Sequence, residues 1–285
     1  MRNIRYISCL ATLLALTGLV GYKTFTHQGI KARLPSHIQE ISTANSDWNF
    51  ATCFILLDDK KLISEAPFVD CPSKTDPLKR RVFLWGDSHA ASLYQGLEVL
   101  YGNKFQFIQR TASSCPPLIE SIYISDKCKL LNQLVLNEIS NAQPDGVIIM
   151  GSLSGSVGDE IGLTILKLKS IGIKNIILVG LPPKWNSSLP NTVFRKYLLT
   201  NSMPERLQNT QVLQQEKSDQ ELQDVATYLN VAYVSPLHIL CNKLGCLTRT
   251  SESSNQLLQF DQTHLTYEGS LFIATHFPKP LIQRR

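Results

Sequence analysis

The chain has 285 residues, of which 43% are hydrophobic and 18% charged, with a net charge of +5. That length holds one large domain or two small ones with a substantial core. The mild charge comes with no dense Lys/Arg stripe and no aromatic–basic pattern, so nucleic acid is excluded as the expected partner.

In chain order, Arg2 and Arg5 precede an uncharged run from Tyr6 to Tyr22, closed by Lys23. The run lies between the usual lengths of a signal-peptide core and a membrane span. Leu19-Val20-Gly21-Tyr22 is too bulky for a small-x-small cleavage site, and Cys9 lies too early for a lipoprotein site. The expectation is a cytoplasmic tail over 1–5 and an uncleaved transmembrane signal anchor over 6–22, with a cleaved signal as the alternative. The two arginines keep the tail inside and send the remainder to the periplasm or the extracellular side. Residues 23–78 read as a stem and a disulfide-tied extension containing Trp48-Asn49-Phe50 and the apolar run Phe54 to Leu57. Asp70-Cys71-Pro72-Ser73-Lys74-Thr75-Asp76-Pro77 is a turn-rich join to residues 79–285.

Cysteine usage agrees with export. Outside the anchor stand Cys53, Cys71, Cys115, Cys128, Cys241 and Cys246, an even set in an exported chain. Short loop closures favour Cys53–Cys71, Cys115–Cys128 and Cys241–Cys246. A zinc site from His238, Cys241 and Cys246 rivals the last pair but lacks a fourth ligand at familiar spacing. No cofactor or metal is expected.

From residue 79, short apolar runs alternate with helical patterns. Val82–Trp85, Phe105–Ile108, Gly146–Met150, Ile176–Val179 and Val231–Val234 read as buried strands. Helices are expected near 89–101, 129–142, 159–171 and 211–229, and a terminal helix capped by Thr266 runs through Ala274. This alternation predicts an α/β fold, a mostly parallel sheet with helices on both sides. Ligands in such sheets bind beyond the carboxyl ends of the strands.

Gly86-Asp87-Ser88-His89 follows the first of those strands and opens a helix. A serine there is well presented as a nucleophile near a helix N-terminus. It needs a base, and the base needs an orienting group. Asp261-Gln262-Thr263-His264 follows the last strand and supplies both types. Serine, then aspartate, then histidine is one of the orders in which unrelated folds assemble a hydrolytic triad. His89 reads as a supporting or helix-start residue, and His238 and His276 as packed or surface residues. Pro182-Pro183-Lys184-Trp185 reads as a rigid loop whose tryptophan could wall a sugar at the rim of the site.

Four segments carry a resemblance. Val82-Phe83-Leu84-Trp85-Gly86-Asp87-Ser88-His89, Ser114-Cys115-Pro116-Pro117-Leu118, Val179-Gly180-Leu181-Pro182-Pro183-Lys184-Trp185 and Asp261-Gln262-Thr263-His264-Leu265-Thr266 resemble the SGNH (GDSL-type) hydrolases. The nearer resemblance is to the extracytoplasmic SGNH domains fused to membrane acyltransferases that O-acetylate surface polysaccharides. It implies a three-layer α/β sandwich with a flavodoxin-like sheet. It further implies Ser88 as nucleophile, His264 as base and Asp261 as its orienting acid. The family adds oxyanion donors after the second and third strands, including an asparagine that is missing here. Ser113 and Ser114 on one side, and Gly151 and Ser152 on the other, are the candidates that stand with the Ser88 amide.

The expected function is a membrane-anchored extracytoplasmic serine esterase or O-acyltransferase acting on acyl esters, most simply O-acetyl groups, of a cell-surface glycan. With one span, transfer calls for a separate multi-span membrane acyltransferase as partner. The alternative is a non-catalytic glycan-binding or assembly module on the same fold.

Overall fold

The computed structural model describes residues 2–26, 35, 38, 41, 53–57, 67–68, 71, 76–153, 158–251 and 256–278. Trp48-Asn49-Phe50 and most of the expected stem lie outside them. The chain divides into two units, Met1–Thr43 and Ala44–Arg285. The first holds helix α1 (Arg2–Thr26), in which Tyr6–Thr26 is long and apolar enough to cross a membrane. Its threonines return their hydroxyls to the backbone, Thr12 to the Ser8 carbonyl and Thr24 to the Val20 carbonyl, so these polar groups are satisfied within the helix.

In the second unit the strand β2 (Arg80–Gly86) is apolar at consecutive positions because both its faces are covered. Val82 and Leu84 point one way, into a core shared with α2 (Ser88–Tyr101) and α8 (Tyr267–Ala274). Phe83 and Trp85 point the other way, into a core shared with α3 (Asp126–Ala142), α4 (Gly158–Ser170) and α6 (Val212–Tyr228). The same split runs through β4 (Gly146–Met150) and β5 (Ile176–Val179): Ile148, Met150, Ile177 and Val179 serve the first core, Val147, Ile149, Ile176 and Leu178 the second. Period-two alternation of a buried strand thus builds both outer layers of a three-layer sandwich.

The sheet has six strands in the order β1-β3-β2-β4-β5-β7, all parallel, with β1 being Phe54–Ile55, β3 Phe105–Ala112 and β7 Ala232–Val234. The expected strands are all present, and β3 runs four residues beyond the expected end, through Ala112. Its last residues are covered by β1, whose pairing Phe54↔Thr111 and Ile55↔Ala112 supplies the ladder that the apolar pattern of β3 alone does not announce. Residues of the extension therefore belong to the main sheet.

Two regions lie outside the expected elements. Helix α5 (Leu189–Thr200) starts from the Ser188 side chain, which accepts from the Asn191 amide. A small antiparallel sheet joins β6 (Arg206–Leu207), β9 (Gly245–Leu247) and β8 (Cys241–Asn242), following the five-residue helix α7 (Pro236–Leu240). The strands of the small sheet and α7 are too short for periodicity to register. The disulfides are Cys53–Cys71, Cys115–Cys128 and Cys241–Cys246. The last consumes both sulfurs of the alternative zinc set, and the His238 side chain is 52% exposed beside Asp219.

Candidate active site

Two elements set the site. Gly86 ends β2 where a Cβ would collide with the Met150 carbonyl of β4, so only glycine lets the strands stay in register into the turn. Asp87 caps α2 by accepting from the His89 amide, and Ser88 becomes the first residue of the helix. There its own amide has no intrahelical acceptor, and the helix dipole favours negative charge. At the far end of the chain, Thr266 caps α8 by accepting from the Gly269 amide. The α2 and α8 helices touch backbone to backbone: a Cβ on Gly96 would overlap Ser270, and the Ser270 hydroxyl accepts from the Gly96 amide at 2.7 Å and donates to the Leu93 carbonyl. That close approach carries the turn before α2 to the loop before α8, across more than 170 residues of sequence.

Ser88 Oγ lies 2.7 Å from His264 Nε2, and His264 Nδ1 lies 2.6 Å from Asp261 Oδ2. A carboxylate only accepts, which assigns the proton to Nδ1 and leaves Nε2 to accept from the serine hydroxyl. Asp261 Oδ1 also accepts from the Thr263 and His264 amides. Burial raises the Asp261 carboxyl, but the His264 ring and the two amides outweigh it and hold it below the usual carboxylate range. The arrangement can deprotonate a serine as it attacks and support the imidazolium that forms.

The 261–264 loop is braced from the β5 side. The Trp185 amide donates to the Gln262 carbonyl and the Leu189 amide to the Asp261 carbonyl. Trp185 is 2% exposed, and its indole donates to Gln259, whose amide nitrogen reaches the Pro183 carbonyl. This corrects the expectation of a sugar-stacking tryptophan: Trp185 is an internal brace and not a rim residue. Nothing in the sequence separates these two roles, because an exposed and a buried tryptophan look alike after a strand.

His89 is more deeply involved than a helix-start residue. Its Nδ1 lies 3.1 Å from Asp87 Oδ1, its Nε2 3.1 Å from Thr263 Oγ1, and its ring stacks on His264 with centroids 4.4 Å apart. Phe260 stacks on His264 as well, at 5.6 Å. Asp87 is almost fully buried and accepts from the Ser152 amide at 2.6 Å. Burial raises its carboxyl, yet the His89 charge and the hydrogen bonds from the His89 ring, Ser152 and His89 amides leave it lowered overall.

The four oxyanion candidates divide. The Ser113 amide already donates to the Ile55 carbonyl, and the Ser152 amide to Asp87. Ser114 stands exposed in the left-handed region at φ 51°. Gly151 is buried against Pro116 and Pro117, where a Cβ would press into both. That turn is fixed by Asn132, a buried residue the helical pattern passes over, which donates to the Pro116 and Leu118 carbonyls and accepts from Trp85.

A profile of the family described as "SGNH domain (fused to AT3 domains)" matches residues 53–279. Among solved structures, the lipopolysaccharide acetyltransferase periplasmic domain of Salmonella ser. Paratyphi A superposes with a TM-score of 0.69 at 24% identity, over 90% of this chain and 100% of that one. A carbohydrate acetylesterase family member from Sinorhizobium meliloti gives 0.43 at 13% identity, over 71% and 97%. The acetyl xylan esterase AlAXEase gives 0.43 at 16%, over 68% and 96%. No curated protein matches the chain.

Proposed function

For a chain that belongs to the family of SGNH domains fused to AT3 domains, we propose a serine esterase or O-acyltransferase acting on O-acetyl esters of a cell-surface glycan. The observation that carries this reading is the continuous line from Ser88 Oγ through His264 to Asp261, with steps of 2.7 and 2.6 Å.

In the proposed reaction Ser88 Oγ attacks the acetyl carbonyl while His264 Nε2 takes its proton. The carbonyl oxygen becomes an oxyanion, facing the Ser88 amide and either the Ser114 or Gly151 amide. Each such donor contributes roughly 2.7–4 kcal/mol where measured in other serine enzymes. Collapse breaks the bond to the departing alkoxide, which leaves with the proton from His264, and acetyl-Ser88 remains. In the second half, water or a sugar hydroxyl gives its proton to His264 and attacks the acetyl carbon. The bond to Ser88 Oγ breaks and the proton returns to the serine. Asp261 keeps His264 in the required tautomer throughout.

The proposed organisation is a tail over 1–5, an anchor over 6–22, a stem and extension over 23–78 and the reactive part over 79–285. Three disulfides suit an oxidising compartment outside the cytoplasm. For the transfer reading, a membrane acyltransferase of the AT3 kind in the family description would supply the acyl group.

Labelling with a fluorophosphonate tests the reading: the wild-type protein is expected to label and Ser88→Ala is not. An unlabelled, folded wild type would favour a binding module instead. Among labelled proteins, release of acetate with and without an oligosaccharide acceptor separates hydrolysis from transfer.

A further inference from the structure

Beyond the carboxyl ends of β4 and β5 lies a pocket of about 390 Å³, a volume typical of small-molecule sites. One wall is the first part of α6 together with its N-cap residue Gln211, and it is polar. Gln211, Gln214, Gln215 and Ser218 share the face that lines the pocket, at the three- and four-residue spacing that normally carries apolar side chains. Leu213, one position away, is 79% exposed to solvent. Only from Leu222 does the inward face become apolar. Gln211 donates to the Asn186 side chain and Gln215 is held by Lys184 and Pro182, which leaves the exposed Gln214 amide and the half-buried Ser218 hydroxyl as the groups of this wall that can meet an occupant.

The remaining lining narrows its chemistry. Leu153, Leu181, Leu222 and Leu237 contribute apolar surface beside the amides. Gln215 holds the opposite wall, accepting from the Lys184 amide at 2.6 Å and donating to the Pro182 carbonyl. The buried Asp219 is engaged by the Tyr233 and Ser235 hydroxyls, which leaves Lys184 as the cation on the rim. Amides and hydroxyls that both donate and accept, set against leucine surface, complement a pyranose, with its rim of hydroxyls and its C–H faces. An acyl chain would need a continuous apolar tube, and a polyphosphate would need several cations.

The pocket ends at His89 and Thr263, and His89 is stacked on His264 at 4.4 Å. We propose that this pocket is a subsite for an uncharged pyranose of the glycan, one ring's thickness from the base, with Gln214 and Ser218 reading its hydroxyls. The inference rests on the Ser88–His264 reading for the identity of the reaction, but the pocket can be tested without it.

The probes are neutral trisaccharides of glucose, galactose, mannose or xylose carrying one O-acetyl group. Saturation-transfer NMR on the Ser88→Ala protein is expected to detect binding of at least one of them, and Ser218→Phe, placed in that background, to abolish it by filling the pocket. In the enzyme with Ser88 intact, Gln214→Ala is expected to lower the kcat/KM ratio of that trisaccharide ester to p-nitrophenyl acetate at least tenfold. Leu213→Gln, on the solvent side of the same helix, leaves the ratio unchanged. Binding of none of the sugars, undiminished binding in Ser218→Phe, or an unaltered ratio in Gln214→Ala overturns the subsite, as does preference for p-nitrophenyl octanoate over every sugar ester. Sugar binding without fluorophosphonate labelling keeps the subsite and removes the serine-enzyme reading.

Discussion

The molecule holds two aspartate–histidine pairs stacked on each other, and they are built for different tasks. Asp261–His264 is half open, with side-chain exposures of 39% and 19%, and its outer nitrogen meets Ser88. Asp87–His89 is closed, at 1% and 9%, and its outer nitrogen meets Thr263. Residue types and the use of Nδ1 toward the carboxylate are shared, though the distances differ at 2.6 and 3.1 Å, so an Asp–His contact does not by itself make a base. What decides is the group that the second imidazole nitrogen faces and whether a substrate can reach it. The buried pair links three loops: Asp87 holds Ser152 after β4, His89 holds Thr263, and the stacked ring holds His264 in place. In the proposed reaction it would serve as a positioning pair.

The largest effect is expected at the Ser88–His264 contact: Ser88→Ala or His264→Ala should lower p-nitrophenyl acetate hydrolysis by about a million-fold, toward the level left by binding alone. Next comes the comparison itself. Asp261→Asn should cost about ten-thousand-fold in kcat by permitting the wrong tautomer. Asp87→Asn should cost only about a hundredfold, the scale of a small misplacement. Equal losses in the two asparagine variants would erase the distinction between the pairs. A finer cut is His89: His89→Phe keeps the stack and loses both hydrogen bonds, whereas His89→Ala loses both kinds of support. We expect about a tenfold fall in kcat for alanine and a smaller one for phenylalanine, with KM for p-nitrophenyl acetate little changed. If phenylalanine loses as much as alanine, the hydrogen bonds and not the stack support His264.

The smallest effect is on stability. Both carboxyls are lowered in the folded protein. Their contribution is therefore complete above the ordinary carboxylate pKa of about 3.9 and is lost as pH falls through the lowered values. Urea midpoints at pH 6 and pH 3 should drop less in Asp87→Asn than in wild type. A drop of the same size in both would remove Asp87 from the acid-labile set.

How much was legible in the sequence follows from these particulars. Five strands of the main sheet and the helices around 88–101, 126–142, 158–170 and 212–228 showed themselves because burial on two faces, or on one helical stripe, leaves an apolar trace. Ser88, Asp261 and His264 were visible because each stands beside a structural boundary, and the structure brings them together. The short cysteine loops made the three disulfides legible by closure length. The roles of Trp185, Asn132 and Gln259 were not, because a hydrogen bond to a carbonyl distant in sequence leaves no pattern. Nor could the sequence tell that the amides of Ser113 and Ser152 are spent within the fold, which turns on the arrival of β1 and of Asp87.

By itself, then, the chain determined its layers, its apolar N-terminal helix and the two segments that carry serine, aspartate and histidine, since local periodicity and turn chemistry are written residue by residue. Tertiary structure alone decided which of two aspartate–histidine pairs meets the serine, which amides are already engaged within the fold, and that the start of α6 forms a wall of the pocket beside His89. Those outcomes depend on close approaches such as Gly96 against Ser270, where the absence of one methyl group sets the distance between segments far apart in sequence.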